Sequence, residues 1–168
     1  MRQFVLLALS ALFLTACAAK GPTAEAALQP TKGSTAAGSM AFAQQGEKVL
    51  VKGQFAGLTP GAHGFHIHDK GDCSAPDGTS AGGHFNPFAK PHGDPARPAH
   101  HAGDLPMLVA GADGTARFEA LMDGISLETG PANILGRSVI VHAQPDDFTT
   151  QPTGNSGARV ACGVIKAK

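Results

Sequence analysis

The chain has 168 residues, with thirteen basic side chains balanced by thirteen acidic ones. That balance, with no basic block, gives no sign of nucleic acid or an extended anionic surface as partner. Trp and Tyr are absent, so any stacking surface must come from Phe or His, and the length suits one domain with a real core.

The N-terminal segment reads as an address rather than as part of the fold. Met1-Arg2 precedes an almost unbroken apolar run from Val5 to Leu14, too short to span a bilayer and suited to an export signal. The run ends in Leu14-Thr15-Ala16-Cys17, which resembles a bacterial lipobox. The expected division is a signal peptide over 1–16, a lipidated N-terminus at Cys17 with a tether over 17–23, and the folded domain over 24–168. An ordinary cleaved signal that discards Cys17 is the alternative. The tether spans at most about 20 Å when extended, which would hold the domain close to a membrane. Ala18 resembles the residue found in lipoproteins sorted to the outer membrane, which points to the bacterial periplasm.

Beyond the tether, short apolar or alternating runs recur between Gly- and Pro-rich turns, and helix periodicity is hard to find. Strands are predicted at 24–28, 38–44, 48–55, 64–68, 106–110, 115–120, 138–142 and 159–166. Gln45-Gly46 and Asp113-Gly114 stand where hairpin turns are needed. About eight short strands without a helix argue for an all-β antiparallel sandwich or barrel. Two long segments, 69–104 and 143–158, carry no periodicity, and loops of that length are usually functional or disordered. Cys73 and Cys162 form an even pair in an exported protein once Cys17 carries lipid. A disulfide is the default reading, with metal ligation the alternative.

Six of the eight histidines, with one aspartate, supply the chemistry. His66 and His68 are two apart in a strand, so both project from one face. His84, His92, His101 and Asp104 follow at steps of eight, nine and three residues. Three imidazoles and a carboxylate complete a tetrahedral zinc site with no open position, which is structural rather than hydrolytic. His66, His68 and His142 remain for a second metal, and nitrogen-rich ligation favours copper(II).

Seven stretches carry a family resemblance: His63-Gly-Phe-His-Ile-His68, Gly82-Gly-His-Phe-Asn-Pro87, Pro91-His-Gly93, His101-Ala-Gly-Asp-Leu105, Val139-Ile-Val-His142, Gly154-Asn-Ser-Gly157 and Arg159-Val-Ala-Cys-Gly-Val164. Together they resemble the copper/zinc superoxide dismutases. The resemblance implies a Greek-key β-sandwich or flattened barrel with two long functional loops, and one copper and one zinc ion per subunit. It assigns copper to His66, His68, His84 and His142, and zinc to His84, His92, His101 and Asp104, with His84 bridging the two as imidazolate. The implied reaction dismutes superoxide by alternate reduction and oxidation of copper, giving dioxygen and then hydrogen peroxide, with His84 supplying one proton. Arg159 matches the arginine that holds the anion, and Asp146, with Asp147 beside it, matches the carboxylate that orients a histidine of each metal.

His63 is expected to serve structure, and His100 would replace His101 only in a shifted register. The second loop is shorter than in eukaryotic members and lacks their acidic and Lys-bearing stretch, so Lys70 and Lys90 on the first loop are candidates for attracting superoxide. The family's dimer interface differs between bacterial and eukaryotic members, which leaves a homodimer as one expectation among several. The rivals are a non-catalytic copper or zinc carrier, whose signature would be a lost ligand or a lost arginine, and an adhesive sandwich, which has no use for clustered histidines.

Overall fold

The computed structural model describes residues 21–168. The export signal, the lipobox-like stretch and Cys17 lie outside the described residues. Alternation of side chains builds the barrel. Strand β1 (Thr23–Pro30) buries Ala24, Ala26 and Leu28 while their neighbours face solvent. Strands β2 (Ala37–Gln45) and β3 (Lys48–Ala56) repeat the pattern with Met40 and Phe42, then Val49, Val51 and Phe55. This is the period-two signature of a sheet with one wet face. Next come β4 (Gly61–His63), β5 (Phe65–His68), β6 (Leu108–Ala110), β7 (Ala116–Met122), β8 (Ser138–His142), β9 (Arg159–Val164) and β10 (Lys166–Ala167).

All ladders are antiparallel. One sheet runs β5-β8-β9-β1-β2-β3-β7, with β10 also on β1, and β4 pairs with β6. The all-β expectation holds: among the described residues the only helical piece is a 3-10 turn at Thr79–Ala81. No described helix is long and apolar enough to cross a membrane. Phe65 stands at the centre of the core, edge-on to Phe55 and Phe118 with ring centroids 5.6 and 5.1 Å away. Offset edge contacts of this kind suit the aromatic quadrupole.

Local readings shift in four places, one being β4 (Gly61–His63), which pairs with β6 and lies outside the predicted strands. The first turn uses Gly46-Glu47 rather than Gln45-Gly46, because Gln45 still pairs with Lys48 and Gly46 takes the positive φ. Asp113-Gly114 does reverse the chain, with the Asp113 carboxylate accepting from Thr115 N–H. It joins strands of different sheets, however, so it is not a hairpin turn. The last predicted strand divides at Ile165, with β9 on β8 and β10 on β1.

Strands β5 and β8 are buried on both faces. Phe65 and Ile67 enter the core, while His66 and His68 point the other way, under the long loops. The predicted loops are present at 69–104 and 143–158, the second fitting between the end of β8 and the start of β9. Cys73 on the first loop is joined to Cys162 on β9, 89 residues away. Closing so long a segment restricts the unfolded chain. Cys73→Ser is expected to cost about 2–5 kcal/mol of unfolding free energy, read as a lower denaturant midpoint of the metal-free protein.

Candidate metal centre

The first loop does not merely cover β5; it completes that strand's free edge. Phe85 N–H donates to Ile67 O at 2.8 Å, Ile67 N–H to Gly103 O at 2.8 Å, and Gly103 N–H to Phe85 O at 2.9 Å. Isolated bridges set His84 against His68 and Asp104 against His66. Backbone pairing therefore delivers loop side chains to the strand's histidines. Gly103 has to be small, since a Cβ there would lie 2.3 Å from Ile67 O. On the other side, β8 carries a register shift between Val141 and His142, and such bulges re-aim a side chain.

Two groups of potential ligand atoms result, one on His66, His68, His84 and His142, the other on His84, His92, His101 and Asp104. Within each group the atoms lie within 4.8 Å of one another. In the second group Asp104 Oδ1 is 2.9 Å from His84 Nδ1, 3.1 Å from His92 Nδ1 and 3.4 Å from His101 Nδ1. Those separations lie close to the edge of about 3.3 Å that zinc bonds of ~2.0–2.1 Å give a tetrahedron. In the first group His66 Nδ1, His68 Nε2, His84 Nε2 and His142 Nε2 are all buried without a hydrogen-bond partner, as is His92 Nδ1 in the second. Leaving a buried polar atom unmatched costs about 1–3 kcal/mol, so five in one place mark positions fitted to cations. Both donor sets suit the metals that imidazole and carboxylate prefer.

The opposite ring nitrogens are satisfied. His66 Nε2 and His92 Nε2 donate to the two oxygens of Asp146, at 2.5 and 2.9 Å. His68 Nδ1 donates to Gly82 O at 2.9 Å and His142 Nδ1 to Gly157 O at 3.1 Å. Each contact fixes a tautomer and leaves the other nitrogen's lone pair directed inward. Asp104 Oδ2 accepts from the N–H groups of Gly93 and His101 at 3.1 and 2.9 Å. Asp146 is buried, whereas Asp147 is exposed and caps its own turn through Thr149 and Thr150. Gly154 roofs the Asp146–His92 contact so closely that a Cβ would stand 1.8 Å from the carboxylate. Sequence spacing gives no sign of that glycine's task.

His63 bonds the carbonyls of His142 and Thr59, both at 2.8 Å, and His100 bonds His101 O at 2.6 Å. Neither belongs to a ligand group. Arg159 donates from Nη1 to Gly78 O and from Nη2 to Gly82 O, both at 2.6 Å. Lys70 lies along Gly82, where a Cβ would sit 3.4 Å from its Cγ. The Lys90 ammonium donates to Pro98 O at 3.0 Å.

Burial, reinforced by neighbouring imidazoles, lowers His84 to about 4 and His142 to about 3, and holds His68 well below the usual imidazole value. These rings are neutral at neutral pH, as ligands must be. Burial opposes charge on His92 too, but the nearby Asp104 and Asp146 carboxylates outweigh it and raise the ring to about 9. Burial likewise opposes charge on Asp104 and Asp146, yet their histidine donors keep both well below the carboxylate range.

Fold and site together define an antiparallel β-barrel with two adjacent clusters of potential metal ligands that share one histidine. The family model for copper/zinc superoxide dismutase matches residues 36–165, and the chain belongs to that family. The extracellular superoxide dismutase (Cu-Zn) of Brugia pahangi is 44% identical over 156 residues, covering 87% of this chain and 76% of its own. The superoxide dismutase (Cu-Zn) of Onchocerca volvulus is 45% identical over 151 residues, covering 83% and 94%. The crystal structure of the clock protein EA4 superposes with a TM-score of 0.79 at 43% identity, covering 87% of this chain and 94% of that one.

The shifted histidines set an acid response in the metal-free protein. His84 and His142 protonate at about 4 and 3 when folded but near 6.5 when unfolded. Between those values the unfolded chain binds more protons, so stability must fall as pH falls. The contribution of His92 runs the other way, present below 6.5 and lost as pH rises through about 9. Urea unfolding of metal-free protein is expected to show a falling midpoint from pH 6.5 towards 4; a flat profile there contradicts the neutral-imidazole assignment.

Proposed function

We propose that this chain dismutes superoxide, with copper held by His66, His68, His84 and His142 and zinc by His84, His92, His101 and Asp104, one ion of each per subunit. Superoxide dismutation is the activity of the family to which the chain belongs. The observation that carries the residue assignment is the set of four buried, unpaired ring nitrogens in a group whose ligand atoms lie within 4.8 Å of one another. Copper held there would supply the one-electron exchange by which one superoxide leaves as dioxygen and the next, with two protons, as hydrogen peroxide, and zinc would hold the His84 ring and ease loss of its proton.

The remaining work belongs to the protein. His84 Nε2, when it is not engaged as a ligand, would take up one of the two protons and pass it on, the other coming from water. Asp146 orients His66 and His92 through separate oxygens, so one carboxylate aligns a ligand of each metal. Arg159 has N–H donors to spare beyond the two engaged by Gly78 and Gly82, and its charge is permanent, so it holds the small anion beside the copper ligands. Lys70, whose stem lies along Gly82, adds positive potential at the mouth, with Lys90 farther along the same loop.

We also propose export, resting on the apolar run before Cys17 and consistent with a relative described as extracellular. The lipobox-like Leu14–Cys17 stretch supports removal of 1–16, acylation of Cys17, a short tether that ends where β1 begins at Thr23, and work at a membrane surface such as that facing the bacterial periplasm. Mass spectrometry of the mature N-terminus tests this against a cleaved, unlipidated form. Sedimentation of the metal-loaded protein tests the homodimer.

The decisive assay is superoxide loss catalysed by protein loaded with copper and zinc and freed of excess metal. Full binding of both metals without activity points instead to a metal carrier. Arg159→Ala is expected to lower kcat/KM roughly tenfold or more, in the range attributed to local steering charge, with copper content unchanged. Lys70→Ala is expected to lower the rate at low salt and to flatten its salt dependence; an unaltered salt profile removes Lys70 from the steering role.

A further inference from the structure

His92 stands in a stretch without regular secondary structure, so no strand satisfies its backbone. One side chain of the other long loop does. His92 N–H donates to Gln151 Oε1 at 2.9 Å, and Gln151 Nε2 donates to His92 O at 2.9 Å. A carboxamide offers an acceptor and a donor side by side, so it pairs with one residue's backbone as a neighbouring strand's peptide would. Five residues before Gln151, on the same loop, Asp146 takes the His92 ring through Nε2 at 2.9 Å.

We propose that Gln151 is a positioning residue for zinc: its carboxamide clamps the backbone of His92, so the second loop governs how tightly the zinc site holds its metal. This rests on the zinc assignment above. Ring and backbone of His92 are each fixed from the loop over 143–158, while the first loop supplies the residue itself. Only glutamine does both jobs here. Asparagine is one methylene short, and glutamate keeps an acceptor for His92 N–H but sets a second oxygen against the His92 carbonyl. The clamp is exposed at its outer side, so it can be altered without opening the core. His68 and His142 make no contact with it, being held by Gly82 and Gly157.

The test compares unsubstituted protein with Gln151→Ala, Gln151→Glu and Thr150→Val, all stripped of metal and shown by circular dichroism to be folded. Thr150→Val removes a bond within the same loop, from Thr150 Oγ1 to Asp147 at 2.6 Å, without touching His92. Zinc affinity is measured by chelator competition, and site geometry from the visible spectrum of cobalt(II) in the zinc position. Both Gln151 variants are expected to bind zinc roughly tenfold more weakly, the lower end of what supporting contacts around a metal ligand contribute. Their cobalt spectra should change, while Thr150→Val should match the unsubstituted protein. Unchanged zinc affinity in Gln151→Ala, or an equal loss in Thr150→Val, overturns the clamp. If the unsubstituted protein takes up no tetrahedral cobalt, the zinc assignment itself fails, and that is visible before any variant is compared.

Discussion

An imidazole ring has two nitrogens on opposite sides, and His84 commits one to each cluster. Its Nδ1 lies 2.9 Å from Asp104, while its Nε2 joins the group formed with His66, His68 and His142. Neither cluster can be built without fixing that ring, and once fixed it locates both. The His66 ring stacks on it with centroids 3.9 Å apart, which sets the tilt. Backbone pairing of Phe85 with Ile67 and Gly103 sets the height above β5. The barrel therefore acts as a ruler: β5 has to present His66 and His68 outward, and so it must bury Phe65 and Ile67 inward.

That arrangement concentrates polar groups where burial disfavours charge. Neutral imidazoles accept this by losing their protons, and the two carboxylates accept it by sharing donors. Asp104 serves three histidines and two backbone N–H groups, and Asp146 serves two histidines and Phe148 N–H. Dense satisfaction of buried oxygens beside unmatched nitrogens is the pattern that a site fitted to cations requires. The disulfide to Cys162 and the backbone pairing along β5 hold the long first loop where a larger apolar core would otherwise be needed.

Much of this was legible in the sequence because it is written in side chains. The alternation of Val49, Val51 and Phe55 marks β3 whatever its neighbours, and the His66–His68 step reports a shared face. Both loops were visible as interruptions of periodicity. Less legible were features carried by the backbone. That Gly82 and Gly157 lend carbonyls to His68 and His142 leaves no trace in residue type. The roles of Gln151 and Gly154 depend on two loops meeting, and spacing along one chain does not encode that meeting. The Asp113-Gly114 turn shows the same limit: its local chemistry was right, but which sheet each flank joined was decided by tertiary pairing.

One backbone atom ties the assigned parts together in a further way. Gly82 O accepts from His68 Nδ1 at 2.9 Å and from Arg159 Nη2 at 2.6 Å, so the ring proposed to face copper and the cation proposed to face the anion hang from the same oxygen. The two strands that carry these side chains, β5 and β9, are thereby tied to one point of the first loop. Displacing Gly82 would loosen the ring and the guanidinium together, so the loop's conformation at that residue is a single setting on which both groups depend.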